Sequence, residues 1–115
     1  MTGIERIAAE RKRQVEIKGW TQEHDAEHTN GELVAAAIAY AWHGMAATTD
    51  NVTYIGNGKC IGSDFFPKSW HPSWWKPRKV FPHDMTDADR VRHLEKAGAL
   101  LAAEIDRILN ERTPK

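Results

Sequence analysis

Apolar and polar positions alternate along this chain with two periods and one interruption. Ile4, Ile7, Ala8 and Val15 recur at helical spacing, with Arg11 breaking the face, and predict a helix from Ile4 to about Lys18. Glu5, Arg6, Glu10, Arg13 and Glu16 occupy its other, solvated side. Gly19 stands where such a helix would end in a left-handed turn, and Trp20 follows, placed to fold back on the last turn. A second helix is expected from about Asn30 to His43, entered through a capping box at Thr29-Asn30-Gly31-Glu32. Leu33, Ala36, Ala37, Tyr40 and Gly44 form one apolar stripe, and Val34, Ile38 and Ala41 a second, so this helix is expected to be central. A third helix opens on Thr86-Asp87-Ala88-Asp89, whose acidic first turn suits the helix dipole. Leu94, Ala97, Gly98, Leu101, Ile105, Ile108 and Leu109 then repeat every three or four residues until Pro114.

Between the second and third helices the pattern changes. Val52-Thr53-Tyr54-Ile55 and Lys59-Cys60-Ile61 flank Gly56-Asn57-Gly58, a hairpin signal. Then come Trp70, Trp74 and Trp75 among Pro67, Pro72, Pro77 and Pro82, which forbid a regular helix. The expected fold is mainly α: one compact three-helix domain over 1–115, with a small β-hairpin and a Trp/Pro-rich loop at about 48–85.

Composition narrows the function classes. The 115 residues are 41% hydrophobic and 28% charged, an ordinary globular balance. Sixteen Lys and Arg offset sixteen Asp and Glu, so bulk nucleic-acid binding through a basic surplus is not expected. No apolar run reaches membrane-spanning length, and the N-terminus has no signal-peptide core, so no membrane association is expected. The single Cys60 has no internal disulfide partner, which fits a reducing, cytoplasmic setting.

Two segments carry candidate chemistry. Glu23, His24, Asp25, Glu27 and His28 crowd one stretch. On a helix, His24 and His28 would share a face at metal-chelating spacing, but only two histidines are supplied locally and no metal is assigned. Trp70, Trp74 and Trp75 lie beside Lys68, Lys76, Arg78 and Lys79, aromatic faces with interleaved cations that can stack a base and hold a phosphate. The alternative is a lid over a small core, favoured for at least two of the three indoles. Arg11-Lys12-Arg13 reads as a solvated face pairing with Glu5, Glu10 and Glu16. There is no P-loop, G-x-G-x-x-G or G-x-S-x-G.

Gly31-Glu32-Leu33 is similar to a fragment of the all-α nucleotide pyrophosphohydrolases of the MazG type. That resemblance implies a metal-dependent hydrolase using Glu27, Glu32, Glu104 and Asp106, the alternative reading. A broader pattern resembles a family of small proteins encoded by tailed bacteriophages and prophages. It comprises Glu10-Arg11-Lys12-Arg13-Gln14, Gly19-Trp20-Thr21-Gln22-Glu23-His24-Asp25-Ala26-Glu27-His28, Gly31-Glu32-Leu33, Trp74-Trp75-Lys76-Pro77 and the segment from Lys96 to Arg107. Ala26 departs from that pattern, which commonly has a second aspartate there. The resemblance implies an accessory factor acting in an infected bacterial host, on a host or defence protein or on a small nucleotide signal.

The expected function is therefore a non-enzymatic binding module with no cofactor and no catalytic residues. Its ligand surface is expected at Trp20, His24, Asp25, His28, Glu32, Trp74, Trp75 and Lys76, which requires the histidine turn and the tryptophan loop to meet. A third reading is a homo-oligomer built through exposed apolar stripes.

Overall fold

In the computed structural model, residues 1–43, 54–55, 58–59, 66–71 and 86–112 are described. Helix α1 spans Gly3–Glu16, α2 Gln22–Asp25, α3 Glu32–His43 and α4 Asp87–Arg112. The fold is mainly α. The 26-residue α4 is the element against which α1, α2 and α3 all pack, so α4, and not α3, is central. Leu33, Ala36, Ala37 and Tyr40 of α3 are buried against Ala97, Leu100 and Ala103 of α4, with Phe66 and Trp70 closing the cluster and Trp20 packed on it. The second apolar stripe expected on α3 stays outside this core, with Ile38 and Ala41 exposed. The alanines on both helices let their backbones approach closely.

The termini of the helices follow local chemistry. Thr2 caps α1: its hydroxyl accepts from the Glu5 amide at 3.2 Å, and Glu5 accepts from the Thr2 amide at 3.0 Å. The same reciprocal pair recurs at α4, where Thr86 and Asp89 exchange hydrogen bonds of 3.1 Å. At α3 the expected box takes a different form. Glu32 reaches back to the Asn30 amide, at 2.6 Å, while Gly31 turns through a φ of +82° and its carbonyl receives the Ala35 amide. Gly19 ends the α1 region with a φ of +73°, and Trp20 returns its amide to the Gln14 carbonyl at 2.9 Å, as the sequence suggested.

Two further expectations are overturned. The face of α1 turned to the protein is the polar one. Glu10 and Gln14 are its buried residues, whereas Ile4 is 83% exposed. The reason lies on α4, which presents Arg92 and Glu95 to α1: Arg92 donates to Glu10 at 2.6 Å, and Arg6 donates to Glu95 at 3.2 Å. The order of these pairs makes the two helices antiparallel, and Ile7 lies over Gly98 between them. The β-hairpin is not supported as a wall of the fold. Tyr54–Ile55 (β1) and Gly58–Lys59 (β2) pair antiparallel, Tyr54 opposite Lys59 and Ile55 opposite Gly58. A ladder only two residues deep has too few cross-strand pairs to stand as a sheet. Cys60 and the rest of the expected hairpin lie outside the described residues, as do Trp74, Trp75 and Lys76 of the tryptophan loop.

Candidate functional site: a cation-lined cavity beside an aromatic row

Two features make up the site. The first is a buried polar centre on α1. Glu10 is 3% exposed, and its carboxylate accepts from Arg13 Nε at 2.8 Å, Arg13 Nη2 at 3.1 Å, Arg92 Nη1 at 2.6 Å and Gln14 Nε2 at 3.3 Å. Burial alone would raise this carboxyl, but the hydrogen bonds from Arg13 and Arg92 outweigh it and hold Glu10 below the usual carboxylate range. Arg13 is pushed up in return, chiefly by its hydrogen bond to Glu10. Because a carboxylate only accepts, the Gln14 amide must point its NH₂ at Glu10, which fixes where its oxygen lies. That oxygen is buried and has no hydrogen-bond partner among the described residues.

The second feature is the turn after α1. Arg11 extends from α1, donating Nη2 to Asp25 Oδ2 at 2.7 Å and Nη1 to the Trp20 carbonyl at 3.2 Å. His24 Nδ1 lies 3.4 Å from the other Asp25 oxygen. A row of rings then runs along the turn. Trp20 stacks on His24 with centroids 6.3 Å apart, His24 meets His28 edge-on at 4.9 Å, His28 meets Trp70 at 5.1 Å, and Trp70 meets Phe66 at 5.6 Å. His28 Nδ1 sits 3.2 Å from Glu32 Oε2, so that nitrogen carries the hydrogen. Its Nε2 is buried with no hydrogen-bond partner among the described residues. Burial opposes ionisation of Glu32, yet bonds from its own amide, the Asn30 amide and His28 leave it below its ordinary value.

Between these features lies a cavity of about 750 Å³. Glu10, Arg13 and Gln14 of α1 and the following Lys18 form one wall, and Trp20, His24 and Asp25 the next. Leu33 and Tyr40 of α3, Trp70, and Arg92, Lys96 and Leu100 of α4 complete it. Lys96 Nζ stands 5.2 Å from the centre of the Tyr40 ring. Four cationic side chains and two carboxylates thus line the cavity, a positive balance inside a chain of zero net charge.

The structure brings together Trp20, His24 and Asp25 in the cavity and sets His28 in the ring row beside Trp70. Glu32 holds His28, the middle ring of that row. The helical His24–His28 face is replaced by another geometry: α2 ends at Asp25 and His28 lies beyond it, although the two rings touch. Among the described residues no three His, Cys, Asp or Glu side chains are grouped to hold a metal ion. Of the four carboxylates in the hydrolase reading, Glu27 is exposed at the turn, and Glu104 on α4 is ion-paired with Arg107. Glu10, Arg13, Gln14, Arg92 and Lys96 were not singled out as site residues. The available signals were the Glu10/Gln14 and Arg92/Lys96 pairs, each one helical turn apart. Among the described residues no helix is long and apolar enough to cross a membrane. No protein-family model, curated protein or solved structure matches the chain.

Proposed function

We propose that the chain is a non-enzymatic binding module whose ligand is a small anion of the nucleotide class, an accessory protein of the kind its phage-family resemblance implies. The observation that carries this reading is the cavity itself, where cations from α1 and α4 face indole and imidazole rings across a volume suited to one small ligand. Phosphate groups fit the cationic side. Glu10 takes two of the five N–H groups of Arg13, and Glu10 and Glu95 take two of those of Arg92, so each guanidinium keeps three further donors for an anion. The base stacks on the cavity side of Trp20, His24 and Trp70. The buried Gln14 oxygen supplies an acceptor for an N–H on that base.

The test is calorimetric titration of the full chain with purine and pyrimidine nucleotides, their nucleosides, and inorganic phosphate. Expected are saturable nucleotide binding, at least about tenfold weaker nucleoside binding, and loss of about tenfold in affinity in Lys96→Ala, the size of one lost charge-assisted contact. Absence of nucleotide binding at millimolar concentration overturns the ligand class. Release of phosphate or pyrophosphate from bound nucleotide overturns the non-enzymatic assignment.

A further inference from the structure

The α4 helix buries one side and leaves another apolar. Val91, Leu94, Leu101, Ile105 and Ile108 are exposed large hydrophobics, Ile105 to 58%. With Gly98 they recur at intervals of three and four, the spacing of a straight helix–helix seam. The gap at Gly98 is filled from the same chain: a Cβ there would fall 2.6 Å from Ile7 Cδ1, so Ile7 occupies that place in the row. The 14-residue α1 is little more than half as long as α4 and cannot shield the whole of it. An apolar seam of about 26 Å, at 1.5 Å per residue from Val91 to Ile108, is more than a soluble chain ordinarily leaves open.

We propose that this seam is a self-association surface on which a second copy of the chain lays its own α4 in antiparallel order. The order follows from the side chains. Reversed against itself, the row sets Val91 opposite Ile108, Leu94 opposite Ile105, and the Ile7-filled gap at Gly98 opposite Leu101. Along one flank Arg90 then meets Glu111 of the second copy, opposite charges in a self-complementary register. Glu111 reaches solvent and Arg90 is half-buried; their present partners include Arg107 at 2.9 Å and Asp87 at 3.3 Å, so the cross-pairs extend existing networks. Parallel order sets Asp87 against Asp87 and a gap against a gap. The acid its Arg90 would need, Glu95, is already engaged by Arg6 and Arg92 at 3.2 and 3.1 Å.

Sedimentation velocity of the full chain from about 1 to 100 µM tests this, with native mass spectrometry for stoichiometry. A dimer is expected. Leu101→Glu/Ile105→Glu is expected to give a folded monomer with unchanged helical circular dichroism, self-association falling by about 100-fold or more. Glu111→Arg, on the exposed flank, is expected to weaken the dimer by about tenfold through two symmetric contacts, and Arg90→Glu/Glu111→Arg to restore it. A wild-type monomer at 100 µM overturns the proposal. So does a monomer that the Leu101/Ile105 substitutions destabilise, because the seam is then covered by the chain's own residues. Failure of the double charge reversal to restore a dimer weakened by Glu111→Arg overturns the antiparallel order.

Discussion

Arg11 and Asp25 are bound at 2.7 Å across the turn that follows the first helix, with 15% and 3% of their side chains exposed. The same guanidinium holds the Trp20 carbonyl. One side chain therefore ties α1 to both ends of the segment that carries the ring row. Arg11→Ala leaves a buried carboxylate without its cation and is expected to cost about 3 kcal/mol. Replacing both, as Arg11→Met/Asp25→Leu, is expected to cost less than Arg11→Ala alone, because no charge is then stranded. Urea unfolding of the three variants checks the order. If Arg11→Ala falls within 0.5 kcal/mol of wild type, as a typical surface substitution does, the pair does not hold the turn.

Glu10 gives the stability of the fold a dependence on acid. Its carboxyl lies below its unfolded value, with burial opposing the shift and Arg13 and Arg92 driving it. The stabilisation is thus fully present above the unfolded carboxyl range and is lost as pH falls through the folded pKa. Glu10→Gln is expected to cost about 2 kcal/mol at pH 7, since the half-buried Arg13 and Arg92 lose charge-assisted hydrogen bonds to a buried carboxylate, while Arg92 keeps Glu95. The gap between variant and wild type is expected to narrow as pH falls below the ordinary glutamate range and through the lowered pKa of Glu10. Denaturation midpoints measured from pH 7 to pH 3 decide it. A constant gap across that range would assign the loss to packing and not to charge.

How far the sequence reveals this molecule depends on the scale of the signal. The three long helices were legible because capping residues and periodicity are local: Thr86 and Asp89 bond within one turn, and Gly19 needs only its own φ. Of the expected meeting of the histidine turn with the tryptophan loop, only the first indole is described: the rings of His28 and Trp70 are in contact, while Trp74, Trp75 and Lys76 lie outside the described residues. The orientation of α1 was not legible. Amphipathic reasoning places both Ile4 and Ile7 inward; Ile7 does lie over Gly98, but Ile4 is exposed, because the deciding partners of the face that turns in, Arg92 and Glu95, lie more than 80 residues away on α4. A buried carboxylate such as Glu10 has no local signature, because only two arginines arriving from different turns make its burial tolerable. For the same reason the apolar row of α4 reads as a core stripe in sequence, while the folded chain spends Ala97, Leu100 and Ala103 on the core and leaves Leu101 and Ile105 outside.

The close approach of α1 to α4 supplies a sharper test of that orientation. A Cβ on Gly98 would stand 2.6 Å from Cδ1, 2.8 Å from Cγ1 and 3.2 Å from Cγ2 of Ile7. Alanine is the better helix former by about 1 kcal/mol, so Gly98→Ala on an unpacked helix face would stabilise. Here the crowding costs about 1–3 kcal/mol, and the end of the Ile7 side chain yields only part of it. The net expectation is destabilisation of about 1 kcal/mol. Removing the obstacle reverses the sign. In the background Ile7→Ala, the same Gly98→Ala change is expected to stabilise, because only the helix preference remains. A double-mutant cycle read by thermal or urea unfolding measures the coupling, expected to exceed 1 kcal/mol. Additive effects would mean that Ile7 does not sit over Gly98, and that α1 meets α4 on another face.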